Sequence, residues 1–265
     1  MSIFFHKKLF DKKHGNGLPI IFLHGFMENM NIWNKIVNVL SIEHNTILID
    51  FPGHGKTKFV EQKNSKILTM ENLSFSLEFY LKKNNINKAF FIGHSMGGYV
   101  ALALAEKYPE IFLGLCLLHS TAQSDDEKKK KYRINSIPMI INHYSLFVTR
   151  SIEKLFNVNK LHCFKEEIDY ITQIALCIPI NCILSIMRGM LIRKNRINVI
   201  KTTTFPKLYI IGSYDSILQK KILIDESKLG YNTFYQEIPT GHMGPIENPQ
   251  YIIKILQNFI YNQIL

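Results

Sequence analysis

A chain of 265 residues that is 46% hydrophobic and 20% charged is long enough for a complete core, and too evenly mixed for a disordered or fibrous protein. Its formal net charge of +11 comes from 32 Lys and Arg against 21 Asp and Glu spread along the chain. The one local run, Lys128 to Lys131, follows Asp125-Asp126-Glu127 and reads as a solvated helix face, which argues against a nucleic-acid partner. Cys116, Cys163, Cys177 and Cys182 form no Cys-x-x-Cys pair and sit among apolar residues, so buried reduced thiols are expected and not disulfides or a zinc site. Met1 to Lys8 holds no apolar run long enough for a signal peptide, and the apolar stretch Ile174 to Ile192 is broken by Pro179, Asn181 and Arg188. A cytoplasmic protein without stable membrane association is expected.

In chain order, Ser2 to Phe10 reads as a strand and His14-Gly15-Asn16-Gly17 as a turn. Pro19 to Leu23 is a continuous apolar run, as a strand covered on both faces would be, and it stops at His24-Gly25-Phe26. An amphipathic helix follows from Asn31 to Leu40, with Trp33 as a packing residue. Asn45 to Ile49 is the next strand, ending at Asp50-Phe51-Pro52-Gly53-His54-Gly55-Lys56-Thr57. Gly55-Lys56-Thr57 imitates the end of a phosphate-binding loop, but the required earlier glycine is Asp50 and Pro52 removes a backbone donor, so the stretch is a tight polar loop. Thr69 caps a helix through Leu81, and the Asn84-Asn85 pair breaks it.

The strand Lys88 to Ile92 then runs into Gly93-His94-Ser95-Met96-Gly97-Gly98, and an alanine-rich helix leaves it. A Gly-x-Ser-x-Gly pattern at a strand-to-helix turn strains the serine backbone and lifts its hydroxyl clear of the sheet. Ile111 to Leu118 is another apolar strand, leading into His119-Ser120. From 121 to 203 the strand pattern gives way to helical segments, the mark of an insertion. Strands resume at Phe205 to Ile211, ending at Gly212-Ser213-Tyr214-Asp215, and at Thr233 to Ile238, ending at Pro239-Thr240-Gly241-His242, with helices around Gln219 to Leu229 and from Asn248-Pro249 through Phe259. Alternation at this spacing predicts an α/β fold with a mostly parallel central sheet covered by helices on both faces.

Each candidate reactive group falls at the carboxyl end of a strand, where ligands of such sheets bind. Ser95 needs a base, His242 can supply one, and Asp215 is placed to fix its tautomer. The chain order Ser95, Asp215, His242 is one of those known for this constellation. The backbone amides of Phe26 and Met96 are the candidate oxyanion donors. Asp125 or Asp126, after an earlier strand, is the competing acid. His24 and His54 are expected to brace backbone, while His119 and, less directly, His94 are candidate substrate contacts.

These pieces resemble the α/β-hydrolase fold, and within it the compact microbial serine hydrolases. The matching residues are His24-Gly25-Phe26, Asp50-x-Pro52-Gly53-His54-Gly55, Gly93-His94-Ser95-Met96-Gly97-Gly98, Gly212-x-x-Asp215, and Gly241-His242 with Glu247-Asn248-Pro249. The resemblance implies a core of residues 1–120 and 204–265, a helical cap of residues 121–203 over the site, and neither metal nor organic cofactor. It implies hydrolysis of a small or medium acyl ester, a small-molecule substrate, through an acyl-serine intermediate. Carbon–carbon bond hydrolysis and the lyase step of menaquinone biosynthesis are the alternatives on the same triad, and a non-catalytic binding module is the alternative on the same fold. That lyase often carries an arginine directly after the elbow glycines, where this chain has Tyr99, although Arg133, Arg150, Arg188, Arg193 and Arg196 lie in the expected cap. Serine at position 95 argues against dehalogenase and epoxide hydrolase chemistry, which need aspartate there. Oligomeric state is not legible in the sequence.

Overall fold

A computed structural model describes residues 9–60 and 66–263 of the chain. Seven strands form one sheet in the order β1-β3-β2-β4-β5-β6-β7, with β1 (Phe10–His14), β2 (Pro19–Leu23), β3 (Asn45–Asp50), β4 (Ala89–His94), β5 (Phe112–Leu118), β6 (Lys207–Gly212) and β7 (Thr233–Ile238). Only β1 runs antiparallel to its neighbour; the others pair in parallel. The expected strand at Ser2 to Phe10 lies almost wholly outside the described residues, and the described one starts at Phe10.

The central strands are apolar throughout because both sheet faces are covered. Ile20 to Leu23, Phe90 to Ile92 and Leu115 to Leu118 are all at most 1% exposed. Helices α1 (Asn34–Leu40), α2 (Met70–Lys83) and α3 (Met96–Lys107) precede β5; α9 (Lys220–Lys228), α10 (Gly244–Glu247) and α11 (Pro249–Tyr261) follow β6. Thr69 closes the expected start of α2 as a full capping box: its Oγ1 accepts from Asn72 N–H at 3.2 Å, and Asn72 Oδ1 accepts from Thr69 N–H at 3.0 Å. Trp33 is fully buried with its ring 5.1 Å from that of Phe22, but the helix expected from Asn31 begins as a 3₁₀ turn, Met30–Trp33. Asp50 holds that turn: its Oδ1 accepts from Met30 N–H at 2.8 Å while Oδ2 accepts from Lys56 N–H at 2.9 Å, so one carboxylate organises two loops.

Between β5 and β6 the described chain is helical, with α4 (Glu127–Asn142), α5 (Tyr144–Glu153), α6 (Lys165–Leu176), α7 (Ile180–Leu191) and α8 (Ile197–Thr202). Phe147, Ile183, Met187 and Met190 are buried there. The stretch starting at Asp125 is not the uniformly solvated face expected. Asp125 is buried and ion-paired to Arg133 Nε at 2.5 Å and Arg193 Nη1 at 2.6 Å, because its neighbours on α4 and after α7 bring two guanidinium groups to it. Asp126, by contrast, is exposed and caps α4. The cysteines also divide: Cys116 and Cys182 are buried, whereas Cys163, in a 3₁₀ segment with no buried residue, and Cys177, the C-cap of α6, are exposed. Among the described residues no single helix is long and apolar enough to cross a membrane, and one pair bent by 98°, Val158–Leu176 with Ile180–Leu191, passes by length and composition alone.

Candidate active site

Ser95 sits between β4 and α3 with φ +49° and ψ −112°, a backbone state that non-glycine residues rarely adopt. The turn is held from three sides. Ser95 N–H donates to Leu118 O at 3.0 Å, Gly98 N–H donates to Ser95 O at 3.0 Å, and Ser120 Oγ donates to the same carbonyl at 2.8 Å. Gly97 lets α3 start directly against the end of β2: a Cβ there would stand 2.2 Å from Leu23 O and 2.9 Å from His24 O. That approach places Met96, the first residue of α3, beside the His24-Gly25-Phe26 loop, and Phe26 is half-buried. The following residue, Met27, has φ +63°, so this loop turns sharply after Phe26.

Asp215 and His242 meet across the ends of β6 and β7. Asp215 Oδ2 accepts from His242 Nδ1 at 2.7 Å, and Oδ1 accepts from the backbone N–H groups of Ile217 at 2.7 Å and Leu218 at 3.0 Å. Burial alone would raise the Asp215 carboxyl, but the His242 charge and the neighbouring imidazoles outweigh it and hold the group far below the usual carboxylate range. The carboxylate at His242 is therefore that of Asp215, while Asp125 is committed to its arginines and Asp126 to its helix cap. The His242 backbone is tied to the elbow: its carbonyl accepts from His94 Nε2 at 2.8 Å, and His94 is the residue before Ser95.

Four other histidines, His24, His54, His94 and His119, stand in or beside this cluster. His119 is fully buried, with φ +47° and its Nδ1 3.5 Å from Asp215 Oδ2, too long for a strong hydrogen bond. His94 is fully buried between Glu28 and the His242 carbonyl. Both rings, candidate substrate contacts from the sequence, thus touch protein groups in this structure. His24 Nε2 accepts from Phe51 N–H at 3.0 Å, and the His54 ring meets Pro52 O at 3.1 Å. Desolvation lowers these two rings to about 4 and about 3, so both are neutral at ordinary pH. Sequence reasoning missed Glu28. A carboxylate among Phe26, Met27 and Met30 was the available signal, because a charge in so apolar a loop must find a partner.

His119, Asp215 and His242 each bring one ligand atom to within 4.8 Å of the others, a spacing that suits a cation. Such an ion would have to displace the 2.7 Å hydrogen bond between Asp215 and His242. Arg193, expected as a possible carboxylate holder, stacks on Tyr99 at 4.1 Å but donates to Asp125 and to Gln123 O at 2.9 Å. Arg196 is buried and bonded to Glu71 and Glu106. Cavities of about 560 and 230 Å³ open on residues 127–192, and Ser95, Asp215 and His242 line neither.

A strained serine at a strand-to-helix turn, with an Asp–His pair at the ends of the last two strands, is the arrangement expected of a hydrolase of the α/β class. The profile of the family described as the alpha/beta hydrolase fold matches residues 19–138. Over 96% of its length the chain is 29% identical to 98% of a pimeloyl-[acyl-carrier protein] methyl ester esterase from Wigglesworthia glossinidia brevipalpis. It is 26% identical to a hydrolase of Bacillus subtilis, over 91% of this chain and 89% of that one. Among solved structures it is similar to a thermophilic esterase from Thermogutta terrifontis, with 25% identity, a TM-score of 0.89, and coverage of 96% of this chain and 93% of that one. The chain has the α/β-hydrolase fold.

Proposed function

We propose that this hydrolase is a serine esterase, cleaving a carboxylic ester of a small or medium acyl group through an acyl-serine intermediate. The observation that carries the reading is the 2.7 Å contact of Asp215 with His242, on a loop bonded to the residue beside a serine in a strained turn. With Nδ1–H donated to Asp215, Nε2 of His242 is free to take the Ser95 proton as the hydroxyl attacks the ester carbonyl. The imidazolium then gives that proton to the departing alkoxide, and water, activated by the same nitrogen, releases the acid. The amides of Phe26 and Met96 receive the oxyanion, the second reinforced by the positive end of α3.

Residues 121–203 act as a cap in this reading. The turn after α5 lies against the base: His242 N–H and Met243 N–H both donate to Leu155 O, at 2.6 and 3.1 Å, and Asn157 N–H donates to Glu247 at 3.3 Å. The buried apolar side chains of α5 and α7 favour an acyl group over a charged one. The methyl ester named for the Wigglesworthia relative makes an acyl methyl ester the first natural-type substrate to assay. The lyase alternative gains no support from Arg193, whose guanidinium is already paired.

Replacing Ser95 by Ala is expected to lower kcat on p-nitrophenyl acetate and butyrate by at least roughly 10⁴-fold with the fold intact by circular dichroism. Retention of wild-type turnover by that variant would remove Ser95 as the nucleophile.

A further inference from the structure

Among the buried ionisable groups that the proton transfer above leaves unused, two touch both halves of the site. His94 and Glu28 have side chains 0% and 1% exposed, and together they join three loops. His94 Nε2 is 2.8 Å from the carbonyl oxygen of His242, and Nδ1 is 2.9 Å from Glu28 Oε2. The same Oε2 receives Gly25 N–H at 2.6 Å, in the residue before Phe26. A carbonyl oxygen can only accept, so Nε2 carries a hydrogen. An oxygen already taking a backbone N–H is best satisfied as a carboxylate, so Nδ1 carries one as well. The assignment follows from the acceptors on either side of the ring.

We propose that His94 and Glu28 form a buried imidazolium–carboxylate pair whose single shared proton positions both the oxyanion loop and the general base of the esterase reaction, on which reading the proposal rests. Both are positioning residues: Glu28 acts through the Gly25 amide and His94 through the carbonyl of His242.

The charges around the ring permit it. Glu28 and His24 face it from the loop after β2, His119 from the end of β5 with ring centroids 5.9 Å apart, Asp215 from the end of β6, and His242 from the end of β7 at 5.2 Å. Trp33 adds an uncharged edge at 6.4 Å. Burial lowers both His24 and His119 to about 4, so neither competes as a cation near neutrality. Burial also pushes His94 down, but the charge and hydrogen bond of Glu28 more than reverse this and raise it above 6.5. A raised imidazolium is fully present below the ordinary histidine range and is lost as the pH climbs through the folded value. After that loss, a lone pair on Nδ1 faces a carboxylate oxygen at 2.9 Å, and the two loops are released. The alkaline limb of the rate profile therefore reports this pair.

The test combines three proteins: wild type, Glu28→Ala and Glu28→Gln. In ¹⁵N-histidine-labelled wild type, both ring nitrogens of His94 are expected to keep imidazolium shifts at a pH where an ordinary histidine is already mostly neutral. Glu28→Ala should turn His94 neutral and reduce kcat on p-nitrophenyl acetate about 10²-fold, with KM little changed. Glu28→Gln, whose amide can accept from Gly25 and donate to a neutral Nδ1, should recover part of kcat and lose the alkaline limb. If the alanine variant fails to fold, the wild-type spectrum and the glutamine variant decide alone. A neutral His94 in wild type at that pH, a wild-type kcat in Glu28→Ala, or matching alkaline limbs in wild type and Glu28→Gln would overturn the proposal. Labelling of wild type with a fluorophosphonate separates the failures. A labelled Ser95 with an unmoved Glu28→Ala defeats only the positioning role, whereas an unreactive Ser95 defeats the esterase reading and this proposal with it.

Discussion

Asp215 is the residue on which charge and geometry agree most closely. It accepts from two backbone N–H groups and from His242, and its carboxyl is held far below the ordinary range, so it is ionised near neutral pH. Its contribution to stability is therefore present above the ordinary carboxylate range and is lost as the pH falls towards the lowered folded value. Asp215→Asn keeps the volume but offers His242 an ambiguous partner, and is expected to cost about 10⁴-fold in kcat with KM nearly constant, measured on p-nitrophenyl acetate. The placement of Ser95, Asp215 and His242 at the ends of β4, β6 and β7 was legible because each follows a strand-like run in a loop marked by glycine. Glu28 was not, since only folding brings position 28 within 2.9 Å of position 94, and no local spacing encodes that contact. Asp125 misled for the same reason: adjacent charges suggest solvent until two arginines from elsewhere close on it.

At the scale of elements, the junction of β2, β4 and α3 is a tight point beside the site. Gly97 faces Leu23 O, and Gly93 faces the backbone of Gly98, where a Cβ would stand 2.5 Å from its nitrogen. Neither neighbour is a flexible side chain that could swing away. Gly97→Ala should therefore push α3 off β2, lowering stability by roughly 1–3 kcal/mol and slowing fluorophosphonate labelling of Ser95. A urea midpoint equal to wild type together with normal labelling would contradict that reading of the junction. The parallel strands and the start of α2 were legible because continuous apolar runs and a threonine cap are local signals. The 3₁₀ turn at Met30–Trp33 was not, because it is imposed by Asp50 from 20 residues away.

At the scale of the whole molecule, a few buried polar side chains fasten the helices of residues 121–203 to the sheet. Glu226 on α9 accepts from Ala122 N–H at 2.6 Å, Thr121 Oγ1 at 2.5 Å and Tyr209 Oη at 2.7 Å, gathering the exit of β5 and the middle of β6 onto one carboxylate. Arg196, on the return path, bonds to α2 and α3 through Glu71 at 2.5 Å and Glu106 at 3.2 Å. Glu226→Ala leaves three donors without an acceptor and should lower stability by roughly 2–4 kcal/mol, read as a shift in the thermal or urea midpoint. An unchanged midpoint would mean that water replaces the carboxylate at no cost. That the chain leaves the sheet after Leu118 and rejoins it at Lys207 was legible as a change of periodicity. These anchors were not, because they join groups about a hundred positions apart.

The bonds from His242 N–H and Met243 N–H to Leu155 O carry a mechanical corollary. The strand-end loop that bears the His242 imidazole hangs from the turn after α5, so displacing that turn either snaps both bonds or drags the imidazole along.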